Sequence, residues 1–99
     1  MNTKAINEVI PIYVGYDDFP YPQLNIDRAL SLIAPEDRNE AIMEIERIFK
    51  YADSVDPEWE KNDLFEGSRL IAEKTCQQFP YLDYKAKKSI QWAYSFWNK

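Results

Sequence analysis

Glycine is scarce in this chain, with only two residues among 99, whereas Ala, Glu, Ile, Leu and Lys are used heavily. A β-sandwich needs many tight turns, and glycine is the residue that most readily adopts the positive φ angles such turns require. The abundant residues include several strong helix formers. The sequence therefore predicts an all-α protein, folded as a compact bundle of four to five helices.

Length and composition favour one domain that spans residues 1–99. Hydrophobic residues make up 45% of the chain and aromatic residues 15%, which is enough for a single core without disulfides or metals. The one cysteine, Cys76, has no partner for an intramolecular disulfide. The sequence shows no basic stretch followed by an apolar one, and no apolar run near the ~20 residues needed to cross a bilayer. We expect a protein of the reducing cytoplasm with no membrane role.

Apolar residues recur at helical spacing in several segments, and capping residues and prolines mark their borders. The predicted elements are a helix over about residues 3–14, an ordered, aromatic and proline-rich loop over 15–22, helices over 26–33 and 35–52, a helix that ends before Pro80, and a last helix capped by Asp83. Pro11 is expected to kink the first helix, because proline removes a backbone donor.

Two residues within these helices carry further expectations. Glu44 is expected on a solvated face of its helix. Gly67 costs about 1 kcal/mol relative to alanine within its helix, which predicts that a neighbouring helix approaches closely there.

Residues 53–66, the acidic segment, combine six carboxylates with one cation, Lys61. The acids are Asp53, Asp56, Glu58, Glu60, Asp63 and Glu66, and Trp59 and Phe65 lie among them. Concentrated carboxylates attract basic partners, and an exposed aromatic side chain can anchor the contact. The segment also fits a solvated helix start, or a single turn leading into a helix, with Asp56 as its cap and Pro57 in its first turn. Trp59 would then pack on the core, and the sequence leaves both interpretations open.

Charge is distributed unevenly along the chain. Residues 1–66 contain 15 acids and six bases, whereas residues 67–99 contain two acids and six bases. The bases available for nucleic-acid contacts are Arg69, Lys74, Lys85, Lys87 and Lys88. They compete with the larger acidic field for any polyanion, so direct nucleic-acid binding is not expected.

The residue types needed for most enzyme chemistry are missing. The chain has no histidine, which removes the commonest general base, the usual catalytic triads and most zinc sites. Cys76 lies on an apolar stripe with Ala72 and Phe79, so we interpret it as a buried structural thiol. Carboxylate pairs of the glycosidase type stay open as an alternative, although chance pairs are common among 17 acids.

Metal-binding and phosphate-binding loops are also missing from the sequence. A calcium loop that began at Asp56 would need glycine at Lys61 and an acid at Gly67. Gly15 and Gly67 are isolated, so they form no phosphate-binding loop. The sequence therefore predicts a binding protein that is not an enzyme and needs no cofactor or metal.

Two segments resemble features of small acidic helical immunity proteins, which accompany contact-dependent inhibition toxins and related polymorphic bacterial toxins. They are Tyr13-Val14-Gly15-Tyr16-Asp17-Asp18-Phe19-Pro20-Tyr21-Pro22 and Ile90-Gln91-Trp92-Ala93-Tyr94-Ser95-Phe96. The resemblance implies a cytoplasmic protein that binds one cognate toxin domain, often a nuclease, and blocks its active site or substrate surface. The charge pattern points the same way, because a toxin that grips nucleic acid has a basic cleft.

We therefore expect a monomeric immunity or inhibitor protein that neutralises a cognate toxin with a basic surface. The expected partner-binding residues are Asp56, Glu58, Trp59, Glu60, Asp63 and Glu66, with Asp17 and Asp18 as further contacts. Two alternatives remain: a phage or mobile-element inhibitor that mimics nucleic-acid charge, and a self-associating regulatory or structural module.

Overall fold

The computed structural model describes all 99 residues, which form five α-helices and no strand. The elements are α1 (Thr3–Val14), α2 (Ile26–Leu30), a 3-10 turn (Pro35–Asp37), α3 (Arg38–Ser54), α4 (Leu64–Gln78) and α5 (Tyr84–Trp97). The predicted all-α bundle is confirmed. None of these helices combines the length and the apolar character needed to cross a membrane.

Helix α1 lies at the centre of the bundle and packs against α2, α3 and α5. Ile6, Val9, Ile10 and Val14 follow the i, i+3, i+4, i+8 spacing of one helix face, and each is at most 1% exposed. The helix continues through Pro11 and ends at Gly15, which adopts a left-handed φ of 83°. That conformation favours glycine, which also leaves room for the Phe19 ring.

Helices α3, α4 and α5 complete the core around α1. Helix α4 packs against both α3 and α5, and their buried faces contribute Ile45, Ile48, Ile71 and Ile90 to one continuous cluster. Asn25, Asp63 and Asp83 each cap a helix by accepting a hydrogen bond from the backbone N–H three residues later. The predicted cap at Asp83 is confirmed.

The second helix ends at Leu30, so its predicted extension to Ile33 is wrong. Ile33 is buried in the turn that follows. The Arg38 guanidinium Nε lies 3.0 Å from the carbonyl oxygens of both Leu30 and Ile33 and donates to them. A side chain thus supplies hydrogen bonds that a longer helix would have supplied, which lets the chain turn into α3.

The fourth helix begins at Leu64, so a helix that starts at Asp56-Pro57 is wrong and the alternative of a single turn is confirmed. Asp56 accepts a hydrogen bond from the Glu58 N–H at 2.9 Å instead of capping a helix. Glu58 has a left-handed φ of 54°, and its carbonyl accepts from the N–H groups of Lys61 and Asn62. This turn separates α3 from the true cap at Asp63.

Glu44 is buried, with 4% of its surface exposed, so its predicted place on a solvated face is wrong. The Tyr81 hydroxyl donates to its carboxylate, and an Arg47 guanidinium nitrogen lies 2.5 Å away. Burial of Tyr81 and its hydrogen bond to Glu44 raise the pKa of the phenol, which therefore stays a donor at neutral pH.

The link between α4 and α5 is also held by α1. The Asn7 side chain on α1 accepts a hydrogen bond from the Asp83 N–H group and donates one to the Tyr81 carbonyl. Helices α1 and α3 therefore both fix this link, through Asn7 and Glu44.

Replacing Tyr81 by phenylalanine removes one hydrogen bond to the buried Glu44 carboxylate. We expect Tyr81→Phe to lower the free energy of unfolding by about 1–3 kcal/mol, the usual cost of leaving such a group short of a donor. Urea denaturation measures this change. Tyr84→Phe is the matched control, because Tyr84 is 72% exposed and its hydroxyl makes no hydrogen bond within the chain. Equal stabilities of the two variants would contradict a structural role for the Glu44–Tyr81 contact.

Candidate functional site

The carboxylates of the acidic segment differ in how far the fold already uses them. Three of them accept hydrogen bonds within the chain: Asp53 from the Tyr94 hydroxyl, Asp56 from the Glu58 N–H group, and Asp63 from the Glu66 N–H group. Two others form ion pairs, Glu66 with Arg69 and Glu58 with Lys61. Glu60 is exposed and forms no hydrogen bond or ion pair. The Glu58–Lys61 pair is loose, at 3.5 Å, and exposed to solvent. Glu58 and Glu60 are therefore the acids most available to a partner.

The Trp59 side chain both packs on the protein and faces solvent. Its six-membered ring lies directly over Gly67, where a β-carbon would collide with ring atoms. The ring is nevertheless 42% exposed. The close approach predicted at Gly67 is confirmed, but the neighbour is this indole and not another helix. The left-handed turn at Glu58 comes immediately before it, so Trp59 is held by the backbone and by α4 together.

A groove between α4 and α5 begins beside the acidic segment. This groove, called here the α4–α5 groove, has a volume of about 270 Å³. Its lining residues are Tyr16, Phe65, Ser68, Lys88, Gln91, Trp92 and Ser95. Phe65, on the first turn of α4, belongs to the acidic segment and also lines the groove, and its side chain is 60% exposed. On the α5 side of the groove, Tyr16 packs edge-to-face on Trp92, with 5.6 Å between the ring centroids.

Two buried polar atoms on residues that line the groove have no hydrogen-bond partner within the chain. They are the Ser68 hydroxyl oxygen and Oε1 of Gln91, on residues that are 0% and 7% exposed. Thr75 and Ser89 lie on the same two helices, yet their hydroxyls donate to the carbonyls four residues earlier. A buried polar group left unpaired costs about 1–3 kcal/mol, so these two atoms retain hydrogen-bonding capacity that the chain itself does not use.

Asp17 and Asp18 lie in a different cleft from the acidic segment. Asp17 pairs with Lys85 at 2.5 Å, and Asp18 pairs with Arg28 at 3.0 Å. The cleft has a volume of about 420 Å³, and its other lining residues are Asn7, Glu8, Pro11, Ile12 and Asp83. The structure thus gathers six of the eight expected partner-binding residues around the turn before α4, and it places these two elsewhere in ion pairs of their own.

Sequence reasoning missed the groove because it joins residues from distant parts of the chain. Ser68 and Gln91 are 23 positions apart in the sequence, and Tyr16 comes from the loop after α1. No sequence signal distinguished Gln91, because Lys88 and Ser95, one turn away on the same side of the helix, are polar as well.

Two findings concern a reactive thiol and a metal site. Cys76 is half-buried, and burial raises the pKa of its thiol, which disfavours the reactive thiolate at neutral pH. Three or more side chains of His, Cys, Asp or Glu never come together in a way that could hold a metal ion. The arrangement of exposed acids, aromatic rings and unpaired polar atoms is suited to binding a protein surface.

The contact between Trp59 and Gly67 can be tested with a double-mutant cycle. In the native protein, Gly67→Ala gains helix propensity of about 1 kcal/mol but displaces the indole, so we expect no net stabilisation. In a Trp59→Ala background the clash is absent, and Gly67→Ala should stabilise the protein by about 1 kcal/mol. Urea denaturation of the four proteins gives the coupling. Equal stabilisation in both backgrounds would show that the ring does not lie over Gly67.

The two segments that resemble immunity proteins meet in the fold, since the Tyr16 ring of the first packs on the Trp92 ring of the second. Comparison with known proteins adds nothing to that resemblance. No protein-family model, no curated protein and no solved structure matches this chain.

Proposed function

We propose that this chain is an immunity or inhibitor protein that binds and neutralises a cognate toxin. The binding surface is the acidic segment together with the α4–α5 groove. The observation that carries the proposal is the pair of buried polar atoms, on Ser68 and Gln91, that no residue of the chain satisfies. They lie beside the exposed ring of Phe65. Rotation of the two side chains towards the groove would bring these atoms to the amides of a polypeptide lying there, because each amide carries one donor and one acceptor.

Charge favours a basic partner for this surface. Glu58 and Glu60 stand at the tip of the turn with little or no internal neutralisation, and Asp63 and Glu66 add to the negative field although they serve as a cap and an ion pair. Complementary charge accelerates association and selects among partners. A nuclease toxin fits this requirement, because the surface with which it grips nucleic acid is positively charged.

The aromatic residues are presented on rigid elements. Trp59 is held against Gly67, and Phe65 projects from the first turn of α4 just after the Asp63 cap. Side chains that are already held in place lose less conformational entropy when they bind, so more of their contact energy appears as affinity. Interfaces commonly depend on a few such aromatic anchors surrounded by polar residues.

The proposal is tested by reversing a single charge at the tip of the turn. After a partner has been captured from the native host, its affinity for the Glu60→Lys variant is measured by calorimetry at low and high salt. We expect affinity to fall about tenfold at low salt, and the loss to shrink as salt screens the charges. Glu60 serves neither as a cap nor in an ion pair, so the fold should be unaffected.

Glu36→Lys is the matched control for this experiment. Glu36 is also an exposed carboxylate without a hydrogen bond or ion pair, but it lies in the 3-10 turn before α3, outside the proposed surface. Its reversal makes the same change in net charge and should alter affinity less than about twofold. Equal losses in the two variants would mean that the partner responds only to overall charge and does not dock on the acidic segment.

A further inference from the structure

A second pocket, formed by α1, the loop after it, α3 and α5, combines aromatic rings with one carboxylate. This aromatic pocket has a volume of about 300 Å³ and is lined by Tyr13, Leu24, Phe49, Asp53, Tyr94 and Trp97. Its rings meet at steep angles of 62° for Tyr13 and Phe49, 66° for Phe49 and Trp97, and 80° for Tyr94 and Trp97. Rings set at such angles surround a space on several sides, in contrast to rings stacked in one layer.

The carboxylate of this pocket has no cation beside it. Asp53 accepts from the Tyr94 hydroxyl through Oδ1 but forms no ion pair, whereas Asp17, Asp18 and Glu66 all have a Lys or Arg partner. The pocket lining contains no Lys or Arg at all. Its aromatic faces and its single carboxylate are therefore all complementary to a positive charge.

The tyrosines of the pocket stay neutral at physiological pH. Burial, and then the negative charge of Glu46, raise the pKa of the Tyr13 hydroxyl. Burial and the hydrogen bond to Asp53 raise the pKa of Tyr94 in the same direction. Glu46 lies two turns before Asp53 on α3, and its negative charge adds to that of Asp53, which strengthens the attraction for a cation.

We propose that the aromatic pocket binds the side chain of a lysine that projects from the protein partner. This inference rests on the proposed function, and Asp53 is the first residue of the acidic segment on which that partner docks. The apolar surfaces of Leu24 and Phe49 would cover the methylene groups of the lysine, while its ammonium group meets the rings and Asp53. Oδ1 of Asp53 is already engaged by Tyr94, so the second oxygen suits the compact ammonium group better than the two-pronged guanidinium of arginine.

The pocket can be tested without the partner. Nα-acetyl-lysine N-methylamide is titrated into the labelled protein at constant ionic strength, and the indole N–H signal of Trp97 is followed by NMR. The probe for comparison is Nα-acetyl-norleucine N-methylamide, which has a similar apolar side chain without the charge. We expect a saturable shift at Trp97 with the lysine derivative, and binding weaker by about tenfold with the norleucine derivative. The Trp59 signal should not move.

Two conservative variants separate the pocket from general acidity. Asp53→Asn keeps an oxygen that can accept from Tyr94 but removes the charge, and it should weaken binding of the lysine derivative by about tenfold. Glu36→Gln likewise removes one carboxylate charge, but Glu36 is exposed in the 3-10 turn outside the pocket and the proposed surface, and this variant should leave binding unchanged. Equal effects of the two variants, equal binding of the two probes, or no shift at Trp97 would overturn the proposal.

Failure of this inference is distinguishable from failure of the proposed function. The titration contains no partner, so loss of lysine binding leaves the contrast between Glu60→Lys and Glu36→Lys untouched. If the partner binds the Glu60→Lys variant as tightly as the native protein while lysine binding is intact, the proposed function is contradicted. The aromatic pocket would then bind cations but have no role in docking this partner.

Discussion

The burial of α1 is the interaction on which the rest of the structure depends. Ile6, Val9, Ile10 and Val14 are almost completely inaccessible, and full burial of each such side chain contributes about 1.5–3 kcal/mol. Helix α1 packs against α2, α3 and α5, and α5 in turn packs against α4. The polar residue Asn7 of α1 also holds the link between α4 and α5, so the central helix sets the position of the two helices that form the groove.

The proposed binding surface follows from how the fold divides its negative charge. Much of the acidic segment serves the structure: Asp63 caps α4, Asp56 stabilises a turn, and Glu66 pairs with Arg69. What stays available is concentrated at the tip of the turn, where Glu58 and Glu60 flank the half-exposed Trp59. The acidic segment therefore resembles a rigid projection with a few free charges, in contrast to a diffuse acidic patch.

The positions of most helices could be predicted from the sequence because caps and apolar spacing act locally. The side chains of Asn25 and Asp83 each accept a hydrogen bond from the backbone N–H group three residues later. Such a short separation can be recognised in the sequence. The error at Asp56 has a local cause as well. An acid followed by proline fits a helix start as well as a turn, and the positive φ of Glu58 decided between them.

The features that escaped prediction depend on contacts between distant residues. Glu44 is buried because Tyr81, 37 residues later, donates to it, and no periodicity of α3 indicates this. The groove and the aromatic pocket each combine residues from the N-terminal third with residues of α5. For the candidate site, the acids and Trp59 could be named from composition, whereas Ser68 and Gln91 required the packing of α4 against α5.

The central claim is that a partner docks on the acidic segment and the α4–α5 groove. The most direct measurement is an NMR map of the labelled chain with and without the captured partner. We expect the largest changes at Trp59, Phe65, Ser68 and Gln91, and no change at the exposed Leu32 and Met43. Changes centred on Leu32 and Met43, with Trp59 and Gln91 undisturbed, would contradict this claim.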